Sequence, residues 1–109
     1  MAAPLLKTYN QSFATGTAGS VNVTGVLDLS GYEQVSVEIV AGPQAPAHVN
    51  VVVYMGKISG WTLSQEMETF PLDDTARIHS YRVIGPELAV FLQGPPNTQV
   101  PVQAWVFLR

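Results

Sequence analysis

Val100, Val102, Ala104, Val106 and Leu108 recur at every second position near the end of this 109-residue chain. Successive side chains of a strand point to opposite faces, so such a row is one buried side of a β-strand. Val35, Val37, Ile39 and Ala41 form a second row, Val49, Val51, Val53 and Met55 a third, and Leu88, Val90 and Leu92 a fourth. These four rows are the expected core. Val21, Val23, Leu27 and Leu29 also share a parity, with Gly25 placed where a bulge or bend fits. Helix formers at 3.6-residue spacing are missing, and clusters of Gly and Pro recur at the intervals expected of a β-sandwich or barrel. The spacing predicts strands over residues 5–13, 20–29, 34–41, 48–55, 62–70, 76–84, 87–92 and 100–108. The segments between them are built from residues that tolerate turn geometry or end a ladder, and none resembles an interdomain linker. The reading is one all-β domain over residues 1–109, an antiparallel β-sandwich of about eight strands.

Charge is scarce. Only 12% of residues are Asp, Glu, Lys or Arg, against roughly 25% in ordinary soluble domains. Three stretches, 8–27, 39–56 and 88–108, carry none, yet each is broken by Asn, Gln, Gly or Pro and cannot be a membrane span. The five basic residues, Lys7, Lys57, Arg77, Arg82 and Arg109, are scattered along a chain of net charge −3. They form no cluster able to neutralise a row of phosphates, which argues against nucleic-acid binding. Cysteine is absent, which excludes disulfides and thiolate metal sites. The first seven residues hold one basic residue and too short an apolar run for a signal peptide, so the chain is expected to be made for the cytoplasm or for assembly there.

A sheet with one wet side carries polar residues opposite its apolar row. Here the opposite parity carries Val40, Val52 and Tyr54, Ala89 and Phe91, and Trp105 and Phe107. Scattered exposed hydrophobes are ordinary, and a loop or the N-terminal segment folded over one sheet would also account for them. The other account is a protein interface, with Tyr54, Phe91, Trp105 and Phe107 as its candidate residues on one surface.

Residues that carry chemistry are few. His48 and His79 are the only histidines, without metal-ligand spacing. Glu66 and Glu68, two apart, are expected on one strand face, and Asp73 and Asp74 occupy a turn. A solvated face and turn chemistry explain these acids as well as glycosidase-like pairing does. No nucleophile elbow, P-loop or dinucleotide fingerprint occurs. The expectation is no enzyme, no cofactor and no metal. Trp61, just after Ser59 and Gly60, is the candidate platform for carbohydrate, since an indole face stacks on a pyranose; capping an open end of the sandwich is its other role.

Residues 81–92 (Tyr-Arg-Val-Ile-Gly-Pro-Glu-Leu-Ala-Val-Phe-Leu) and 102–109 (Val-Gln-Ala-Trp-Val-Phe-Leu-Arg) resemble the closing strands of small jelly-roll decoration or head proteins of tailed bacteriophages. That resemblance implies a jelly-roll fold, no enzymatic activity, homo-oligomers with trimers favoured, and attachment to a capsid, hence a place in the virion. It carries over no functional residue. The leading expectation is a structural module that self-associates and docks on a larger protein assembly. The alternative is a carbohydrate-binding module using Trp61.

Overall fold

A computed structural model of the protein describes residues 2–60 and 63–109. Ten strands form two antiparallel sheets: β1 (Leu5–Thr8), β2 (Gln11–Ala14), β3 (Ser20–Asn22), β4 (Leu27–Asp28), β5 (Gln34–Ala41), β6 (Asn50–Lys57), β7 (Leu63–Pro71), β8 (Ile78–Arg82), β9 (Glu87–Gln93) and β10 (Gln99–Leu108). One 3-10 turn, Ile58–Gly60, follows β6. Among the described residues no helix is long and apolar enough to cross a membrane.

The ten segments occupy eight strand positions. β1 and β2 line the same side of β10, opposite residues 105–108 and 99–102 respectively. The break falls at Tyr9 and Asn10, where the Ala104 N–H goes to the Asn10 side-chain oxygen while the Ala104 carbonyl accepts from Tyr9 N–H. β3 and β4 likewise share one side of β9. Their break is the bend expected at Gly25, which lies at φ +65°, and Thr24 Oγ1 accepts the Val90 N–H that the ladder leaves free.

Sheet I has the order β1/β2, β10, β5, β8, and sheet II the order β3/β4, β9, β6, β7. The pairs are nested: first position with eighth, second with seventh, third with sixth, fourth with fifth. A doubled-over hairpin wound into two sheets in this way is a jelly roll. Its core is the set of rows read from alternation. Val35, Val37, Val51, Val53, Met55, Leu88, Leu92, Val100, Val106 and Leu108 are almost fully buried between the sheets, each contributing about 1.5–3 kcal/mol from burial.

The connections after the first, third, fifth and seventh positions gather at one end. There Thr15 N–H bonds to Thr98 O, Asn97 N–H to Gly16 O, Gly94 N–H to Gly19 O and Leu72 N–H to Val49 O. Thr15, the one buried polar residue among those described, donates its hydroxyl to Pro95 O at 2.8 Å and accepts from Thr98 N–H. Gly19 is required there, because a Cβ would stand 2.5 Å from the Gly94 carbonyl oxygen at φ +68°. The opposite end holds residues 29–33 and 83–86, tied by Leu29 N–H to Pro86 O and Val83 N–H to Glu33 O.

Candidate interaction faces

The register determines what each sheet presents outward. In sheet I the outward rows run across the strands. Arg109, Gln34 and Arg82 form the row nearest the 29–33 end, followed by Leu6, Phe107, Ser36 and Ser80, and then Thr8, Trp105, Glu38 and Ile78. In sheet II the corresponding rows are Asp28, Glu87 and Gly56, then Ala89, Tyr54 and Glu66, then Asn22, Phe91, Val52 and Thr69.

The four candidate interface residues therefore do not share a surface, which corrects the sequence expectation. Trp105 and Phe107 lie outside sheet I, and Tyr54 and Phe91 lie outside sheet II. Parity along a strand tells which side of its own sheet a residue takes, but not which sheet the strand joins. The two faces also differ in character. Outside sheet II, the rings of Tyr54 and Phe91 stand on one diagonal, edge to face with centroids 5.6 Å apart. Val52 and Ala89, on the other diagonal, are 1% and 0% exposed. This face covers much of its own apolar surface, and the rings remain half-buried.

Outside sheet I the apolar residues stay open. Leu6 is 58% and Ile78 61% exposed, flanking the half-buried Trp105 and Phe107. Together with Thr8 and Arg109 they line a shallow hollow of about 460 Å³. The indole is fixed in orientation because Trp105 Nε1–H donates to Glu38 Oε1 at 3.1 Å. Ser36 and Ser80 hydroxyls join across the strands at 3.0 Å. Alternation does not single out Leu6 and Ile78: Leu5-Leu6 shows no parity, and the strand of Ile78 alternates without a clean apolar row.

Next to this hollow lies a polar one of about 510 Å³, bordered by Glu33, Gln34, Tyr81, Arg82 and Arg109. The Arg109 guanidinium donates Nε–H and Nη2–H to Gln34 Oε1 at 2.9 and 2.6 Å. Neither Arg82 nor Arg109 forms an ion pair among the described residues.

The acid pair expected on one face of the strand over residues 62–70 is also split. A β-bulge in β7 sets Glu66 opposite Tyr54 but Glu68 opposite Val53, with Met67 the extra residue. Glu66 therefore points outward and Glu68 toward the gap between sheets, where Glu68 Oε1 accepts the Tyr81 hydroxyl at 2.7 Å and contacts His79 Nδ1 at 3.1 Å. The His79 ring stacks on Phe70 at 3.8 Å. This cluster bridges the edge strands β7 and β8 of the two sheets. Burial first, and then the bond and charge of Glu68, push the Tyr81 hydroxyl above its ordinary value. His48 is exposed in the 42–49 connection. Trp61, the carbohydrate candidate, lies outside the described residues. Among the described residues no group of three His, Cys, Asp or Glu side chains could hold a metal ion.

No family model matches the chain, and no curated protein does. Among solved structures, a chain described as "Structure of infectious bursal disease virus Gx strain" aligns over 98% of this chain and 32% of its own length, with 8% identity and a TM-score of 0.49. This protein thus spans about a third of that chain, a likeness too distant to extend any property of the virus to it.

Proposed function

We propose that this protein is a non-enzymatic structural module that self-associates and docks on a larger protein assembly. The observation that carries the reading is the open apolar face of sheet I, where Leu6 and Ile78 stand more than half exposed around Trp105 and Phe107. Large aromatics set among apolar and polar side chains, with Arg109 and Glu38 at their margins, have the composition of an interface centre. The molecule measures 40 × 29 × 18 Å. Its broad faces are wide enough for the roughly 800 Å² per partner that a specific interface occupies. The divergence of Glu66 and Glu68 argues against catalysis by that pair, since the two carboxylates serve different surfaces. The assembly that the bacteriophage resemblance implies is a virion.

Sedimentation velocity from micromolar to about 100 μM tests the first half. Association is expected, and Trp105→Ala is expected to weaken it by more than about 2 kcal/mol, roughly 30-fold, with an unchanged circular dichroism spectrum. A monomer across that range overturns self-association. Capsid, portal or tail genes beside the coding sequence are the expected context of a virion component, and a locus without them removes that assignment.

A further inference from the structure

We propose that copies associate by setting the outer face of sheet I against the outer face of sheet II of the next copy. This rests on the self-association just proposed and specifies its geometry.

The charges of the outward rows are partitioned between the two faces, although Glu33 borders the hollow of Arg82 and Arg109 and Lys57 lies near Glu87. In the outward rows of sheet I stand Arg82 and Arg109, with Glu38 the one acid, and Glu38 is engaged by the Trp105 indole. In those of sheet II stand Asp28, Glu66 and Glu87. Asp28 and Glu87 sit directly opposite each other on neighbouring strands, an arrangement in which like charges repel. Both carboxyls are held below the usual carboxylate range by bonds from Ser30 and Ser59 respectively, so this face keeps its negative charge at neutral pH. Glu66 is exposed and forms no ion pair among the described residues.

The ends of the sheets at which these charges stand also match. The Arg109–Gln34–Arg82 row and the Asp28–Glu87 row both border the end built from residues 29–33 and 83–86. With β8 lying over β7 across the sandwich, translating one copy along the thin 18 Å dimension brings Arg109, at the end of β10, over Glu87 of β9 and Arg82 of β8 over β7, the strand of Glu66, while Asp28 on β4 stands at the opposite edge. Trp105 and Phe107 then meet the side that carries Tyr54 and Phe91. A two-fold pairing of sheet I faces would instead bring Arg82 and Arg109 against their own copies or leave them without partners. Different surfaces meeting head to tail make a heterologous contact, which propagates unless rotation closes it. Because the two faces point in opposite directions, the contact extends in a line, and oligomer size grows with concentration.

Charge exchange tests this. One variant, Arg82→Glu with Arg109→Glu, makes both faces acidic. The other, Glu66→Lys with Asp28→Asn and Glu87→Gln, makes the sheet II face basic while keeping side-chain oxygens to accept from Ser30 and Ser59. Sedimentation velocity of each alone is expected to show association at least about tenfold weaker than wild type, and an equimolar mixture is expected to recover it to within about threefold. Circular dichroism checks that each variant is folded, and Arg82→Glu alone, which keeps the Arg109 bonds to Gln34, replaces the first if it is not. If the second variant associates like wild type while the first does not, the contact is between two sheet I faces; the present inference fails and self-association stands. Loss in both variants without recovery on mixing also overturns it, as does a closed trimer whose size ignores concentration. A wild-type monomer overturns this inference and the broader reading together.

Discussion

Glu68 holds its place because two donors from the other sheet converge on one oxygen, the Tyr81 hydroxyl at 2.7 Å and His79 at 3.1 Å. The Tyr81 hydroxyl is the more consequential partner, since burial and the carboxylate both resist its ionisation. Tyr9 shifts the same way from burial. Both folded-state values lie above that of the unfolded chain, near 10.0, so their stabilising contribution is complete below about pH 10 and is lost as pH rises beyond it. Denaturant unfolding between pH 8 and 11 is expected to show this decline, shallower in Tyr81→Phe. Absorbance titration, compared with Tyr9→Phe and Tyr81→Phe, should find the hydroxyls of Tyr9 and Tyr81 ionising late; ionisation of both near pH 10 would refute the assignment. None of this was visible in the sequence. Tyr81 and Glu68 are thirteen positions apart on strands of different sheets, and only the fold brings them into contact.

Among elements, β7 shows how one residue changes the meaning of a pattern. Glu66 and Glu68 read as one face because alternation assumes an unbroken pleat; Met67, inserted between Val53 and Tyr54 of the partner strand, removes that assumption. Met67 packs on the core while Glu68 reaches Tyr81. Deleting either residue leaves an even ladder, so both variants are expected to fold, with losses of about 1–2 kcal/mol. They differ at Tyr81: removing Glu68 should bring its ionisation to lower pH, whereas removing Met67 should not. Collapse of the Met67 deletion would show that the bulge itself is indispensable. The bend at Gly25, by contrast, was legible, because a glycine within a row of common parity leaves a gap in the side-chain packing and frees the backbone to turn there.

On the scale of the whole molecule, nesting places the first strands beside the last. β1 and β2 pair with β10 and β3 with β9, so much of the ladder joins residues distant in sequence. Loop closure must precede the gain from those contacts, and refolding is expected in milliseconds to seconds by stopped-flow fluorescence, as for other β-sandwiches. Microsecond folding would contradict a nested pairing order. The same topology separates the aromatic residues. Strands β6 and β9 enter one sheet and β10 the other, so residues that look alike along the chain face opposite directions in space.

The sequence by itself determined the all-β class, the eight strand positions and the buried rows, because alternation and turn chemistry act between near neighbours and are written in adjacent residues. Tertiary structure alone decided the partition of strands between sheets, and with it the open hollow flanked by Leu6 and Ile78, the self-covered cluster around Val52 and Ala89, and the separation of Arg82 and Arg109 from Asp28, Glu66 and Glu87. Those features depend on pairings between distant strands, and a period of two is the same whichever neighbour a strand finds.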